Sequence, residues 1–136
     1  MEKKRKVVHV GEQIGNGGYQ QAYRVSQRRI VKIPKLCYND KQAKHILDNE
    51  IAGSKHLLNA LPVLDVVDVV LPDGQVRQGT LRRYIPLEAK YKEVENLFKK
   101  AGVPEQWDSS GTNFRKDTRG KLWRTDTQTQ DIWNLI

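Results

Sequence analysis

The stretch Gly15-Asn-Gly-Gly-Tyr-Gln-Gln-Ala-Tyr-Arg-Val25 decides the fold of the N-terminal half of this chain. Its glycines break a strand-like run that begins at Val7-Val-His-Val10, and the residues after the glycines favour β-structure again. Ser26-Gln-Arg28 then predicts a tight connection into Arg29-Ile-Val-Lys-Ile33, a strand that Pro34 ends. We therefore expect three antiparallel strands joined by short turns.

The central part of the sequence predicts a helix followed by a β-hairpin. From about Asp40, apolar residues recur at intervals of three and four, as in an amphipathic helix, and Asn39 or Asp40 can cap its start. The β-branched run from Val63 to Leu71 predicts a strand, Pro72-Asp-Gly74 a turn, and residues 76–84 the partner strand. The whole pattern indicates an α+β fold.

The last third predicts a second helix and a small hairpin. Residues 87–101 carry apolar side chains at helical spacing, and Gly102 stands where such a helix ends. Two short strand candidates follow, one around Phe114 and one at Leu122-Trp-Arg124, separated by the turn Thr118-Arg-Gly120.

A motif of polar residues flanks this hairpin. Asp108-Ser-Ser-Gly-Thr-Asn113 precedes it, and Asp126 follows it. An Asp, an Asn five positions later and a second Asp thirteen beyond that is the spacing with which kinase-type phosphotransferases place a catalytic base and two magnesium ligands. The alternative is that Asp108 turns a loop, Asn113 stabilises it through bonds to the backbone, and Asp126 is a surface carboxylate.

Size and charge limit the class of protein. A chain of 136 residues is most simply one domain, and no apolar run is long enough to span a bilayer. The start lacks the apolar segment of a secretory signal, and the single cysteine, Cys37, fits a reducing compartment, so we expect a cytoplasmic protein. The net charge of +8 favours phosphates, nucleic acid or acidic surfaces as partners.

The order of these elements resembles the small lobe and catalytic core of the protein-kinase-like fold. The resemblance implies an antiparallel five-stranded sheet with one helix over about residues 7–85, and an abbreviated catalytic-loop region over residues 86–136. Both parts would belong to a single domain, residues 1–136. The chain would be a minimal or truncated kinase-like protein that lacks most of the large lobe.

The resemblance assigns a nucleotide site to the N-terminal part. Residues 14–22 resemble the kinase glycine-rich loop, in which bare backbone N–H groups approach the phosphates of ATP. Gly15 and Gly17 match the first two glycines, while Gln20 stands where the third is expected. Lys32, within Ile30-Val-Lys32, would contact the phosphates, and Glu50 on the following helix would pair with this lysine.

The same resemblance assigns chemistry to the C-terminal part. Asp108 would be the base that accepts the proton of a substrate hydroxyl, and with Lys32 it forms the predicted catalytic pair. Asn113 and Asp126 would hold magnesium, so the predicted cofactors are ATP and Mg²⁺. The chain departs from the family at Gln106, where a His is usual, and at Ser110, where a Lys is usual.

Three functions remain open at this point. The first is Mg-ATP binding with phosphate transfer to a small or non-peptide hydroxyl acceptor. The second is a nucleotide-binding, pseudokinase-like module that regulates a partner protein. The third is a basic α+β domain that binds nucleic acid, with aromatic side chains stacking on bases beside arginines; the candidate residues are Tyr19, Tyr23, Arg24, Trp123 and Arg124. A homodimer or a partner protein that completes the shortened fold is also expected, and no membrane association is.

Overall fold

The computed structural model of this protein describes residues 5–102 and 113–127. The predicted α+β class is confirmed, with two helices and two sheets in this part of the chain. The elements, in chain order, are β1 (Val7–His9), β2 (Gln13–Asn16), β3 (Gln20–Arg24), β4 (Arg29–Pro34), α1 (Asp40–His56), β5 (Asp65–Val70), β6 (Val76–Arg83), β7 (Leu87–Glu88), α2 (Tyr91–Ala101), β8 (Phe114–Lys116) and β9 (Leu122–Arg124).

The first sheet has six strands in the order β1-β5-β6-β4-β3-β2, and it is mixed. Strands β2 to β6 pair with antiparallel neighbours, whereas β1 pairs in parallel with β5. The predicted five-stranded antiparallel sheet is therefore wrong in both strand number and direction.

The error lies in the run Val7–Val10, which we expected to pair across the glycine-rich turn. A tight hairpin pairs the residues immediately before and after its turn, so β2 takes that place beside β3. The run before it is left to form β1 at the opposite edge, where Val8 is buried in the apolar core.

Strand alternation divides the first sheet into an apolar and a polar face. Val31 and Ile33 are fully buried with Val67, Val69 and Leu81 in the core of this sheet. Lys32 and Ile30, between and beside them on β4, point to the other face, as the alternation predicts. Each buried aliphatic side chain contributes roughly 1.5–3 kcal/mol, so the core fixes which face is which.

Helix α1 begins at a capping box. The Asn39 side-chain oxygen accepts a hydrogen bond from the Gln42 N–H at 2.8 Å, and the Gln42 side-chain oxygen accepts one from the Asn39 N–H at 3.0 Å. Of the two predicted caps, Asn39 is therefore the one used. Such a cap contributes about 1 kcal/mol to the stability of a helix.

The second sheet has the order β7-β8-β9, and helix α2 precedes β8 in the chain. The hairpin of β8 and β9 confirms the two predicted short strands. Helix α2 begins at Tyr91 instead of the predicted residue 87, because Leu87 and Glu88 pair with β8. Its end is as predicted, since Gly102 adopts the left-handed conformation with φ of 70°.

The described residues form two compact units, each with its own apolar core. The first comprises residues 5–48 and 63–84, and the second comprises residues 49–62, 85–102 and 113–127. In the second, Val94 and Phe98 of α2 pack against Phe114, and the two phenylalanine rings meet edge to face at 6.0 Å. The organisation as one kinase-like domain stays a prediction. Neither described helix has the length and apolar character needed to cross a bilayer.

Gly79 on β6 gives a test of the first core. A Cβ atom added there would lie 2.7 Å from the Lys32 carbonyl oxygen and 2.8 Å from the Ile33 Cγ2 atom. We expect Gly79→Ala to lower the free energy of unfolding by about 1–3 kcal/mol, as overpacking does, in urea denaturation. Gly18→Ala is the matched control, because a Cβ there meets nothing within 4 Å. Equal losses in both variants would contradict the packing described.

Glu93 gives a test of the second unit. Its carboxylate accepts hydrogen bonds from the Lys90 N–H at 3.1 Å and from Lys116 Nζ at 3.2 Å, and these two bonds, the backbone one first, hold the pKa of Glu93 below its ordinary value of 4.5. A lowered folded pKa stabilises the protein above the unfolded pKa, and the effect is lost as pH falls through the folded pKa.

We therefore expect Glu93→Gln to melt at a lower temperature than wild type at pH 7, and the two melting temperatures to converge in acid. Thermal melts across pH measure this, with Glu12→Gln, at an exposed loop position, as the control. A difference that persists unchanged in acid would show that the Glu93 charge is not its cause.

Candidate functional site

The backbone conformation of the glycine-rich turn between β2 and β3 does not require glycine. Among the described glycines, only Gly74, Gly102 and Gly120 have positive φ. A Cβ at Gly15 or Gly17 would be 3.4 Å from its nearest neighbour, and at Gly18 it would meet nothing within 4 Å. The turn could therefore carry side chains, and its bare backbone is free to approach a ligand.

Lys32 lies on the same sheet face as this hairpin. In the register of the sheet, Ala22 is directly opposite Gly15 on one side and Lys32 on the other, and Lys32 is opposite Thr80. Directly opposite residues project to the same face of a sheet. We call this the lysine face, formed by Gln20, Ala22, Lys32, Thr80 and Arg82.

The lysine face is polar although much of it is buried. Gln20 is only 5% exposed, and Thr80 and Arg82 are fully buried. Within the described chain, the side-chain oxygens of Gln20 and Thr80 have no hydrogen-bond partner. Buried polar atoms are nearly always satisfied, so two unpaired side-chain oxygens beside Lys32 make this face a candidate binding surface for a polar ligand.

The second unit brings Asn113 and Asp126 together at the open end of the β8–β9 hairpin. The Asn113 carbonyl oxygen accepts hydrogen bonds from the N–H of Thr125 at 2.8 Å and from the N–H of Asp126 at 3.3 Å. Asn113 is 7% exposed, and Asp126 is partly exposed. Residues thirteen positions apart are thus neighbours because the hairpin returns the chain to its starting point.

Glu50 belongs to the same unit and is tied to the same segment. The Thr127 hydroxyl donates to the Glu50 carbonyl oxygen at 2.8 Å, and both residues are fully buried. Arg124, also fully buried, donates from Nε to the Asp126 carbonyl oxygen at 3.1 Å. Two predicted site residues, Glu50 and Asn113, therefore bond to the segment 124–127, which contains the third, Asp126.

Asn113 and Asp126 carry side chains of the types that bind magnesium, and the bonds that join the two residues are made by backbone atoms. An amide oxygen and a carboxylate are hard ligands of the kind that Mg²⁺ takes, usually one or two from protein with the rest from water and phosphate. No group of three or more His, Cys, Asp or Glu side chains in residues 5–102 and 113–127 could form a metal cage of protein alone. The magnesium site at Asn113 and Asp126 stays a prediction.

Two predicted features of the site remain predictions. Asp108, the predicted base, lies outside the described residues, as do Gln106 and Ser110. The expected ion pair of Lys32 with Glu50 joins residues of different units and also stays a prediction.

Sequence reasoning missed several polar residues near the predicted ones. It noted Gln20 only as a departure from the glycine pattern, and it gave Thr80, Arg82 and Thr127 no role in the site. A signal for Thr80 and Arg82 existed, since period-two counting along β6 separates them from the core residue Leu81. Local sequence does not predict the strand register that places Thr80 opposite Lys32.

Thr127 offers a test of how the Asp126 segment is held. Thr127→Val removes the donor to the Glu50 carbonyl oxygen while keeping side-chain volume, so we expect a loss of about 1–2 kcal/mol in the free energy of unfolding. Thr118→Val, in the exposed turn of the hairpin, is the control and should change stability little. Chemical denaturation measures both, and a neutral Thr127→Val would show that this bond does not anchor the segment.

Comparison with known proteins leaves the site to be interpreted from its own residues. No model of a protein family matches the chain. A search of curated proteins gives no match either.

Proposed function

We propose that this protein is a minimal kinase-like protein that binds Mg-ATP and transfers phosphate to a hydroxyl acceptor. The observation that carries the proposal is the row Gly15, Ala22, Lys32 and Thr80 across four strands of one sheet. It puts a turn of bare backbone and a lysine on one face, which is the arrangement that phosphate binding uses.

The order of elements also supports the proposal. Strands β2 to β6 form an antiparallel set, and helix α1, which carries Glu50, lies between β4 and β5 in the chain. The glycines lie in the turn from β2 to β3, and Lys32 lies on β4. This is the order of strands, glycines, lysine and acidic helix that the resemblance to the kinase-like small lobe implies.

Each residue has a role that follows from its chemistry. The turn at Gly15 and Gly17, which carry no side chains, lies close to the phosphates, and Lys32 neutralises their charge, with Glu50 orienting the lysine. Asn113 and Asp126 hold magnesium, which when bound shields the negative charge of the phosphates. Asp108 accepts the proton of the acceptor hydroxyl.

The nucleic-acid alternative receives less support from the aromatic residues on which it depended. The indole N–H of Trp123 donates to Asp117 at 3.0 Å, and Lys121 covers the ring at 4.2 Å from its centre. Tyr23 packs against the core of the first sheet, and Arg124 is fully buried. These side chains already have roles inside the protein, so they are poor stacking platforms for bases.

Calorimetric titration with ATP, with and without magnesium, tests the proposal. We expect magnesium-dependent binding that Lys32→Ala weakens about tenfold or more, because a charged contact to phosphate is lost. Asp126→Asn should remove most of the magnesium dependence. The matched controls are Lys44→Ala and Asp48→Asn, which alter an exposed ion pair on α1.

The outcomes separate the three functions. Loss of the γ-phosphate from bound ATP supports the phosphotransferase, whereas binding without turnover supports the pseudokinase-like regulator of a partner. If folded wild-type protein binds no ATP but is retained by nucleic acid in a steeply salt-dependent way, the kinase-like proposal is wrong and the basic domain takes its place.

A further inference from the structure

Gln20 is the least explained polar side chain of the lysine face. It is 95% buried, since its exposed fraction is 5%, and its Oε1 atom has no hydrogen-bond partner in the part of the chain that the structure describes. Leaving a buried amide oxygen unpaired is destabilising, so a purely structural position would favour an apolar residue. The Thr80 hydroxyl, fully buried on the same face, is unpaired in the same way.

The position of Gln20 lies between the glycine turn and Lys32. Its carbonyl oxygen accepts the N–H of Gly17 at 2.8 Å and so closes the turn. Because Ala22 is directly opposite Lys32, Gln20 is the diagonal neighbour of Lys32 on the same face. Diagonal neighbours are about 7–8 Å apart, which long side chains such as Gln and Lys can bridge through a shared ligand.

We propose that Gln20 is a ligand-contacting residue whose amide binds the phosphate chain of the nucleotide. This inference rests on the proposed function and adds to it a side-chain contact. A half-turn of the terminal amide exchanges its oxygen and nitrogen, and Nε2 then donates to a phosphate oxygen. Lys32 contributes positive charge, and the neutral amide of Gln20 contributes a directional hydrogen bond. Together they favour nucleotides that carry a polyphosphate over adenosine.

A ligand contact and a structural role predict opposite effects on stability. Gln20→Leu keeps the side-chain volume and removes the unpaired oxygen, so the thermal midpoint should stay the same or rise. Affinity for the phosphate ligand should fall in the same variant. If Gln20 served the fold instead, the thermal midpoint would drop.

The experiment measures the binding of Mg-ATP, magnesium tripolyphosphate and adenosine by calorimetry, together with thermal melts of each variant. For Gln20→Leu we expect about a tenfold or larger loss of affinity for ATP and tripolyphosphate, the loss that accompanies a hydrogen bond to a charged group. Gln20→Glu should lose more, since a carboxylate repels phosphate. Adenosine binding should not change. Gln27→Leu, in an exposed turn, is the control.

The results distinguish a failure of the proposed function from a failure of the Gln20 contact alone. If wild-type protein binds neither ATP nor tripolyphosphate, the proposed function fails, and the phosphate contact of Gln20 fails with it. If wild type binds both and Gln20→Leu binds them equally well, the function stands and the Gln20 contact is wrong. Binding by Gln20→Glu as tight as by wild type would also show that the Gln20 amide donates no hydrogen bond to phosphate.

Discussion

The register between β3 and β4 is the constraint on which the first unit depends. It pairs Ala22 with Lys32 and thereby sends Val31 and Ile33 to the core on one side and the lysine to the polar face on the other. A slip of one residue would reverse every side chain, placing a charged group in the core and two aliphatic side chains outside it. The burial of Val31 and Ile33 stabilises the sheet, and it therefore also determines which residues form the lysine face.

Features governed by local chemistry were predicted from the sequence. Asn39 caps α1 and Gly102 ends α2 because a side-chain oxygen and a left-handed backbone are requirements within a single turn. The parallel pairing of β1 with β5 and the short β7 could not be predicted in this way. Each pairing depends on residues dozens of positions away. The three-residue run that forms β1, which contains two valines, does not indicate which strand it will pair with.

The candidate site shows the same division. Asn113 and Asp126 were selected by residue type and spacing, and Lys32 by its resemblance to the kinase-like motif. The hairpin that brings Asn113 and Asp126 together was itself predicted from local turn residues. Gln20, Thr80 and Arg82 can be recognised as site candidates only when β3, β4 and β6 are aligned and the burial of each residue is known. Polar residues in strands are ordinary in a sequence, and it is their combination of burial and register that makes them informative.

The lysine face has two features that the fold does not require. The glycine turn contains three glycines although neither positive φ nor close packing demands them. Beside it, Gln20 and Thr80 keep buried oxygens unpaired where leucine or valine would give a more stable sheet. Residues that lower stability without contributing to the fold often take part in binding or catalysis. Both features lie around Lys32, which is why we place the proposed ligand site on this face.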